Sequence, residues 1–275
     1  MSRTTHWSQD EIDRFSTGKI IKRLAAFGIP IDQDSFLKDV ADCHGASDVY
    51  EHWERQFTIT AEGFDADFPW MAAEVLWRRL VPHKVSTGQL DDMMQEGYAL
   101  IEKRDVVRGC VLWLKVWEGL KPRFAKNMRT VRAADCVFKG SQFISNWCQD
   151  VEMKLGNAAM DDPAFHEHRL RYCHEFCEFF PESHAIVPAM KRAIAESLFL
   201  SGRTEEADRK FQDIVDGYPD SPWGYIGWGD MYAGFRGGAT NVRRAKELYG
   251  NALGIDPRED RTVRDRMRQL KGGTE

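Results

Sequence analysis

KRAIAESLFLSGRTEEADRKFQDIVDGYP (residues 191–219) and YIGWGDMYAGFRGGATNVRRAKELYGNALGIDP (residues 225–257) follow one spacing template. Each begins with a large residue, then an apolar residue, a small residue and an aromatic residue or leucine. An alanine, an aromatic residue four positions later and a closing proline complete it. The matched positions are Lys191, Ile194, Ala195, Leu198, Ala207, Phe211 and Pro219, and then Tyr225, Trp228, Gly229, Tyr232, Ala245, Tyr249 and Pro257. Small residues let two helices approach closely and proline ends a helix, so the template predicts two successive helical pairs.

This spacing resembles the helix–turn–helix unit of the tetratricopeptide family, which repeats about every 34 residues. The stretch from Phe180 through Trp228 is also similar to poorly characterised bacterial tetratricopeptide-like proteins. Some of those carry a C-terminal SEC-C metal-binding motif, but this chain has no Cys-x-Cys near its end. The resemblance implies an all-α fold of antiparallel helical hairpins stacked into a short superhelix, with a concave groove that binds a peptide or protein.

The rest of the chain fits helices as well. Residues 86–122 repeat the template weakly, with Gly109 where the family prefers alanine. Residues 130–180 predict a second hairpin, with one helix through Val131 to Leu155 and a turn that begins at Gly156. We therefore predict an N-terminal helical region and a repeat region, with an insertion inside the last clear repeat and a polar tail. The N-terminal region covers residues 1–85 and the repeat region residues 86–275. Within the repeat region, the clear repeats cover about 188–221 and 222–259, the insertion covers 236–240, a capping helix covers about 260–271, and the tail covers 271–275.

Composition narrows the function classes. The 275 residues are 43% hydrophobic with a net charge of −5, which does not favour binding to nucleic acid or an anionic membrane. No run approaches the roughly 20 apolar residues that span a bilayer, and the polar N-terminus lacks a secretory signal. We expect a cytoplasmic protein with no membrane partner, whose six cysteines are reduced.

The family resemblance assigns a peptide-binding groove to the first helix of each repeat. Carried over by position, the groove residues are Met94, Tyr98, Glu102, Arg192, Glu196, Phe199, Trp223, Ile226 and Asp230. This set mixes aromatic residues with both charge signs, which suits an extended peptide with one or two apolar side chains. It lacks the lysine and asparagine of the family's carboxylate clamp, so a chaperone tail is not expected. An equally weighted interpretation is that Trp223 and Ile226 only pack against a neighbouring helix.

Two further clusters carry alternative functions. A Cys/His cluster between His166 and His184 contains metal-ligand types, although buried cysteines in helices are more often small core residues. A basic stretch from Lys121 to Arg132 has residue types that bind RNA or an acidic segment. No catalytic motif occurs, so we expect a non-enzymatic adaptor without a cofactor. A nucleic-acid-binding or metal-binding regulatory protein is the alternative.

Overall fold

The computed structural model describes residues 6–235 and 240–272. Over these ranges the chain is all-helical, and consecutive helices pack against one another, as the sequence predicted. None of the described helices has the length and apolar character needed to cross a bilayer. The predicted insertion at 236–240, except for Thr240, and the last residues of the tail, 273–275, lie outside the described residues. The helices are α1 Gln9–Asp13, α2 Thr17–Ala26, α3 Gln33–Asp39, α4 Ala46–Gln56, α5 Phe68–Leu80, α6 Thr87–Glu102, α7 Val106–Leu120, α8 Val131–Val137, α9 Ile144–Asp161, α10 Phe165–Phe179, α11 Val187–Leu200, α12 Thr204–Gly217, α13 Trp223–Ala233, α14 Val242–Ala252 and α15 Asp260–Gly272.

The chain divides into two compact units. The first unit comprises residues 1–94 and 119–123, and the second comprises residues 95–118 and 124–275. Helices α6 and α7 therefore each contribute residues to both units. The domain boundary at residue 86 stays a prediction.

The first unit is built around large buried aromatic side chains on α3, α4 and α5. Phe36, Trp53 and Phe68 are fully buried there. At its edge, the Asp65 carboxylate accepts hydrogen bonds from Trp7 Nε1 and Arg23 Nη2, both at 2.8 Å. These bonds, the one from Trp7 first, lower the pKa of Asp65. This carboxylate therefore links the N-terminal segment to α2.

In the second unit, the two template stretches form the packed pairs α11–α12 and α13–α14. Ala195, Ala207 and Ala245 have no exposed surface, as expected for small residues at helix contacts. Phe211 of α12 stacks on Trp228 of α13 with ring centroids 5.8 Å apart, which connects the two pairs. A Cβ at Gly229 would lie 2.5 Å from Tyr249 Cε1, so this contact needs glycine.

Helix α15 packs against α13 and α14 at the end of the described chain. Its buried Val263 and Leu270 lie on one side, and many of its charged residues are exposed. Its Arg266 lies 3.0 Å from the Asp230 carboxylate, which also accepts a hydrogen bond from the Tyr249 hydroxyl. That this helix caps a stack of repeats stays a prediction.

The weak repeat forms α6 and α7, and its glycines have a packing reason. A Cβ at Gly97 would lie 2.0 Å from Trp113 Nε1, so the indole ring lies directly against the α6 backbone. A Cβ at Gly109 would lie 2.8 Å from Ile101 Cγ1 and 3.1 Å from the Gly97 carbonyl oxygen. Alanine, which the family template has at this position, would therefore clash.

Two local predictions between residues 130 and 163 are wrong. The predicted single helix from Val131 to Leu155 is interrupted, since α8 ends at Val137 and α9 begins at Ile144. The side chain of Asp135 accepts a hydrogen bond from the Ser145 amide at 2.9 Å, which satisfies one unpaired donor at the start of α9. The predicted turn of Gly156, Asp161, Asp162 and Pro163 begins later than expected, because Gly156 lies inside α9, which ends at Asp161, and α10 begins at Phe165.

Candidate functional site: a groove between α9 and α11

Helices α9 and α11 both pack on α10 and leave an open groove between them. Three neighbouring cavities of about 410, 430 and 220 Å³ lie along α9; in the first, the start of α8 and residues 182–186, which precede α11, face α9. The first two share Gln149, and the last two share Asn157 and Arg169. We call the set the α9–α11 groove, and the 430 Å³ space its central cavity. The lining residues of α9 run from Ser145 to Met160, about 22 Å along the helix.

A buried arginine from α10 forms the floor of the central cavity. Arg169 is 4% exposed, and its Nε donates to Glu152 Oε1 at 2.9 Å. Its Nη2 donates to the same oxygen and to Glu196 Oε2, the latter at 2.9 Å. Burial alone would lower the pKa of Arg169, but the carboxylates of Glu196 and Glu152 outweigh it and raise the pKa. The guanidinium is therefore charged and ties α9, α10 and α11 together.

A glycine in the middle of α9 makes room for this guanidinium. A Cβ at Gly156 would lie 3.2 Å from Arg169 Cζ and 3.2 Å from its Nε. Glycine inside a helix costs about 0.5–1 kcal/mol relative to alanine. The lost helix propensity is thus offset by the close approach of the buried ion network.

A second arginine, Arg192, also packs against a glycine of a neighbouring helix, at the side of the groove. The side chain of Arg192 on α11 lies against α13 at Gly227, where a Cβ would lie 2.5 Å from Arg192 Cδ. Its guanidinium carbon lies 5.4 Å from the centre of the Trp223 ring, and its Nε lies 3.5 Å from Glu196 Oε1. Trp223 is 39% exposed, so this cation–π pair forms part of the accessible surface.

The opposite side of the central cavity is held by a tyrosine from α6. The Tyr98 hydroxyl donates to Asp150 Oδ2 at 2.6 Å, and its ring packs against Trp113 with centroids 4.8 Å apart. Burial first, and then the bond to Asp150, raise the pKa of Tyr98 above its ordinary value. The hydroxyl therefore remains protonated and fixes the orientation of the Asp150 carboxylate in the cavity.

The smallest cavity, at the C-terminal end of α9, contains a buried histidine. His166 is 9% exposed, and its Nδ1 has no hydrogen-bond partner among the described residues. Burial, followed by the charge of Arg169, lowers the pKa of His166. The imidazole is therefore neutral near pH 7, next to the exposed Met160 on the rim.

The structure brings four of the nine predicted groove residues together. Arg192 and Glu196 line the central cavity, Tyr98 bonds to its Asp150, and Trp223 lies against Arg192. Sequence reasoning missed the contribution of α9 and α10, which includes Glu152, Asn157 and Arg169. A useful signal was present, because Gln149, Met153, Asn157 and Met160 are spaced three or four apart and so share one helix face.

The other five predicted groove residues lie elsewhere. Met94, Phe199 and Ile226 are buried, so their side chains offer no surface to a ligand. Ile226 packs with Ala245 and Tyr249, as the alternative interpretation expected. Asp230 bonds to Tyr249 and lies beside Arg266. Glu102 is exposed at the end of α6.

The cysteine and histidine side chains between His166 and His184 do not form a metal site. Among the described residues, no group of three or more His, Cys, Asp or Glu side chains is arranged to hold a metal ion. Cys173 is fully buried, and burial raises its pKa well above the ordinary value. Burial likewise raises the pKa of Cys177 to about 11. Both thiols are thus protonated, with Cys173 in the core and Cys177 partly buried.

The basic stretch is divided between the two units. Lys121 and Arg123 belong to the first unit, and Lys126, Arg129 and Arg132 to the second. Arg123 donates to Thr87 Oγ1 at 2.7 Å, and Arg129 pairs with Glu182 at 3.0 Å. At least two of its five cations therefore hold the protein's own loops and helix ends.

No protein-family model matches the chain, and no curated protein matches it either.

Proposed function

We propose that this chain is a non-enzymatic adaptor that holds an extended peptide segment in the α9–α11 groove. We also propose that its helical pairs stack in the tetratricopeptide manner and that it works in the cytoplasm. The observation that carries the proposal is that the three cavities follow one another along α9 and share lining residues. A groove of about 22 Å accommodates six or seven extended residues at about 3.3 Å per residue.

The rim of the groove has the chemistry that adaptable peptide sites use. Met153 and Met160 of α9 are 47% and 70% exposed and stand at the central and smallest cavities. Methionine is flexible and polarisable, so it packs against different apolar side chains. The floor is a rigid ion network around Arg169. A rigid ion network beneath flexible methionine side chains suits a peptide that contacts the groove along its whole length.

A blocked-groove variant tests the proposal. Ala189 lines the central cavity and is partly exposed, so Ala189→Trp should fill the cavity without entering the core. A random heptapeptide library should be enriched on the wild-type protein and not on Ala189→Trp. Ala25→Trp, at an exposed position of α2, is the matched control and should retain the peptides. Equal retention by Ala189→Trp, or no enrichment on the wild-type protein, would refute a peptide-binding groove.

A further inference from the structure

The charges in the central cavity are unbalanced. Three carboxylates and two guanidinium groups line it, from Asp150, Glu152, Glu196, Arg169 and Arg192. The cavity therefore carries one excess negative charge before any ligand enters. Charged groups in a partly enclosed space interact more strongly than in bulk water, so this excess favours a cation.

The two cations are already engaged by protein groups. Arg169 is buried, and it donates to Glu152, Glu196 and, at 3.5 Å, to Ser197 Oγ. Arg192 lies between Glu196 and the face of Trp223. An anionic ligand would therefore have to displace an existing contact to reach either guanidinium.

Two carboxylate oxygens, in contrast, remain open. Arg169 donates twice to Oε1 of Glu152, and Tyr98 donates to Oδ2 of Asp150. Among the described residues, no donor reaches Glu152 Oε2 or Asp150 Oδ1. Both side chains line the central cavity. The cavity thus presents hydrogen-bond acceptors with negative charge.

The unpartnered nitrogen of His166 is an independent sign of a ligand. A buried polar atom without a partner is costly, and most such atoms in folded proteins are satisfied. His166 lines the cavity that shares Asn157 and Arg169 with the central one. A ligand that occupies the central cavity and continues along α9 can supply the missing contact.

We infer that the central cavity selects a lysine or arginine side chain of the bound peptide, which is held between Asp150 and Glu152. The alkyl part of this side chain contacts Met153, and its charged end meets the open carboxylate oxygens. This inference rests on the proposed function, and it names the class of segment that the groove recognises. Phosphate groups of RNA and acidic peptides would instead face the three carboxylates.

The composition of the selected library provides the first test. Peptides enriched on the wild-type protein should carry lysine or arginine at one shared position. Enrichment without such a position overturns the inference and leaves the peptide-binding function intact. No enrichment overturns both. Displacement of a bound peptide by single-stranded RNA, at equal concentration, also overturns the inference.

A matched pair of variants provides the second test. For one enriched peptide, replacing the shared lysine with norleucine, which keeps the carbon chain, should weaken binding about tenfold in fluorescence anisotropy. Asp150→Asn should shrink this ratio to about twofold, because it removes the charge of the carboxylate. Asparagine can still accept the bond from Tyr98, so the side chain should keep its place. Asp161→Asn, an exposed position on the same helix, should leave the ratio unchanged.

Salt dependence keeps the inference testable if Asp150→Asn fails to fold. The lysine preference of the wild-type protein should fall when NaCl is raised from 0.1 to about 1 M, because salt screens the charge. Equal binding of the lysine and norleucine peptides at low salt, or a preference for glutamate at that position, contradicts a basic side chain in the cavity.

Discussion

Arg169 and Arg192 reach the groove because glycines on neighbouring helices leave space for them. Gly156 of α9 lies against the guanidinium of Arg169, and Gly227 of α13 lies against the methylene groups of Arg192. A Cβ at either position would push a side chain that already has charged partners. The glycines therefore determine where the positive charges of the site are placed.

Gly156→Ala tests this relation directly. The Arg169 guanidinium is buried and held by two carboxylates, so it cannot move away from a new Cβ at 3.2 Å. We expect a loss of about 1–3 kcal/mol in the free energy of unfolding, measured with urea. Gly250→Ala in α14 is the control, since a Cβ there meets no atom within 4 Å. That variant should gain up to about 1 kcal/mol. A stabilised Gly156→Ala protein would show that the contact is loose.

His166 should make stability depend on pH. Its pKa in the folded protein is lowered, by burial first and then by Arg169, from an ordinary value of about 6.5. The unfolded chain therefore binds a proton that the folded chain does not, and stability falls as the pH drops below about 6.5. His44 and His174, whose pKa values burial also lowers, act in the same direction.

Urea unfolding between pH 7.5 and 5.5 measures this contribution. His166→Gln should reduce the pH dependence of the unfolding free energy without removing it, because His44 and His174 remain. His83→Gln, at an exposed position, serves as the control. An identical slope in His166→Gln and in the wild-type protein would contradict a neutral, buried imidazole.

At the scale of the elements, the paired helices near the C-terminus could be predicted from local spacing. Small residues mark the crossings, and Pro219 and Pro257 follow the second helix of each pair. The separation of α8 from α9 escaped prediction, although residues 139–142 (Lys, Gly, Ser and Gln) interrupt the apolar pattern there. Glycine inside a helix is unfavourable by itself, so the sequence predicts a turn that includes Gly156. Its partner, Arg169, lies on the next helix.

The contact between α11 and α12 depends on a small side chain. Ala207 has no exposed surface, so Ala207→Leu should overpack this contact and lower the unfolding free energy by about 1–3 kcal/mol. Arg209→Leu, on the exposed side of α12, should change it by no more than about 0.5 kcal/mol. Equal effects of the two substitutions would mean that α12 is not held at Ala207.

At the scale of the whole molecule, the proposed ligand should act on one unit. A peptide bound in the α9–α11 groove stabilises only the state that contains the groove, by mass action. Hydrogen exchange should therefore slow in α9 and α11 on addition of an enriched peptide, up to about 100-fold at 100 times its dissociation constant. Exchange in α4 and α5 of the first unit serves as the internal control and should not change. Protection confined to α4 and α5 would place the binding site in the first unit.

Helical periodicity, small residues at crossings and terminal prolines were enough to establish an all-α chain with two paired-helix stretches and a final amphipathic helix. These features act within one helix or between neighbouring ones, so they can be read from spacing. The groove could not be read in this way. Glu152, Arg169 and Glu196 lie on three helices, and their separation along the chain says nothing about their distance in space. Only the packing of α9 and α11 on α10 brings these three side chains within hydrogen-bond distance, because each of them comes from a different helix.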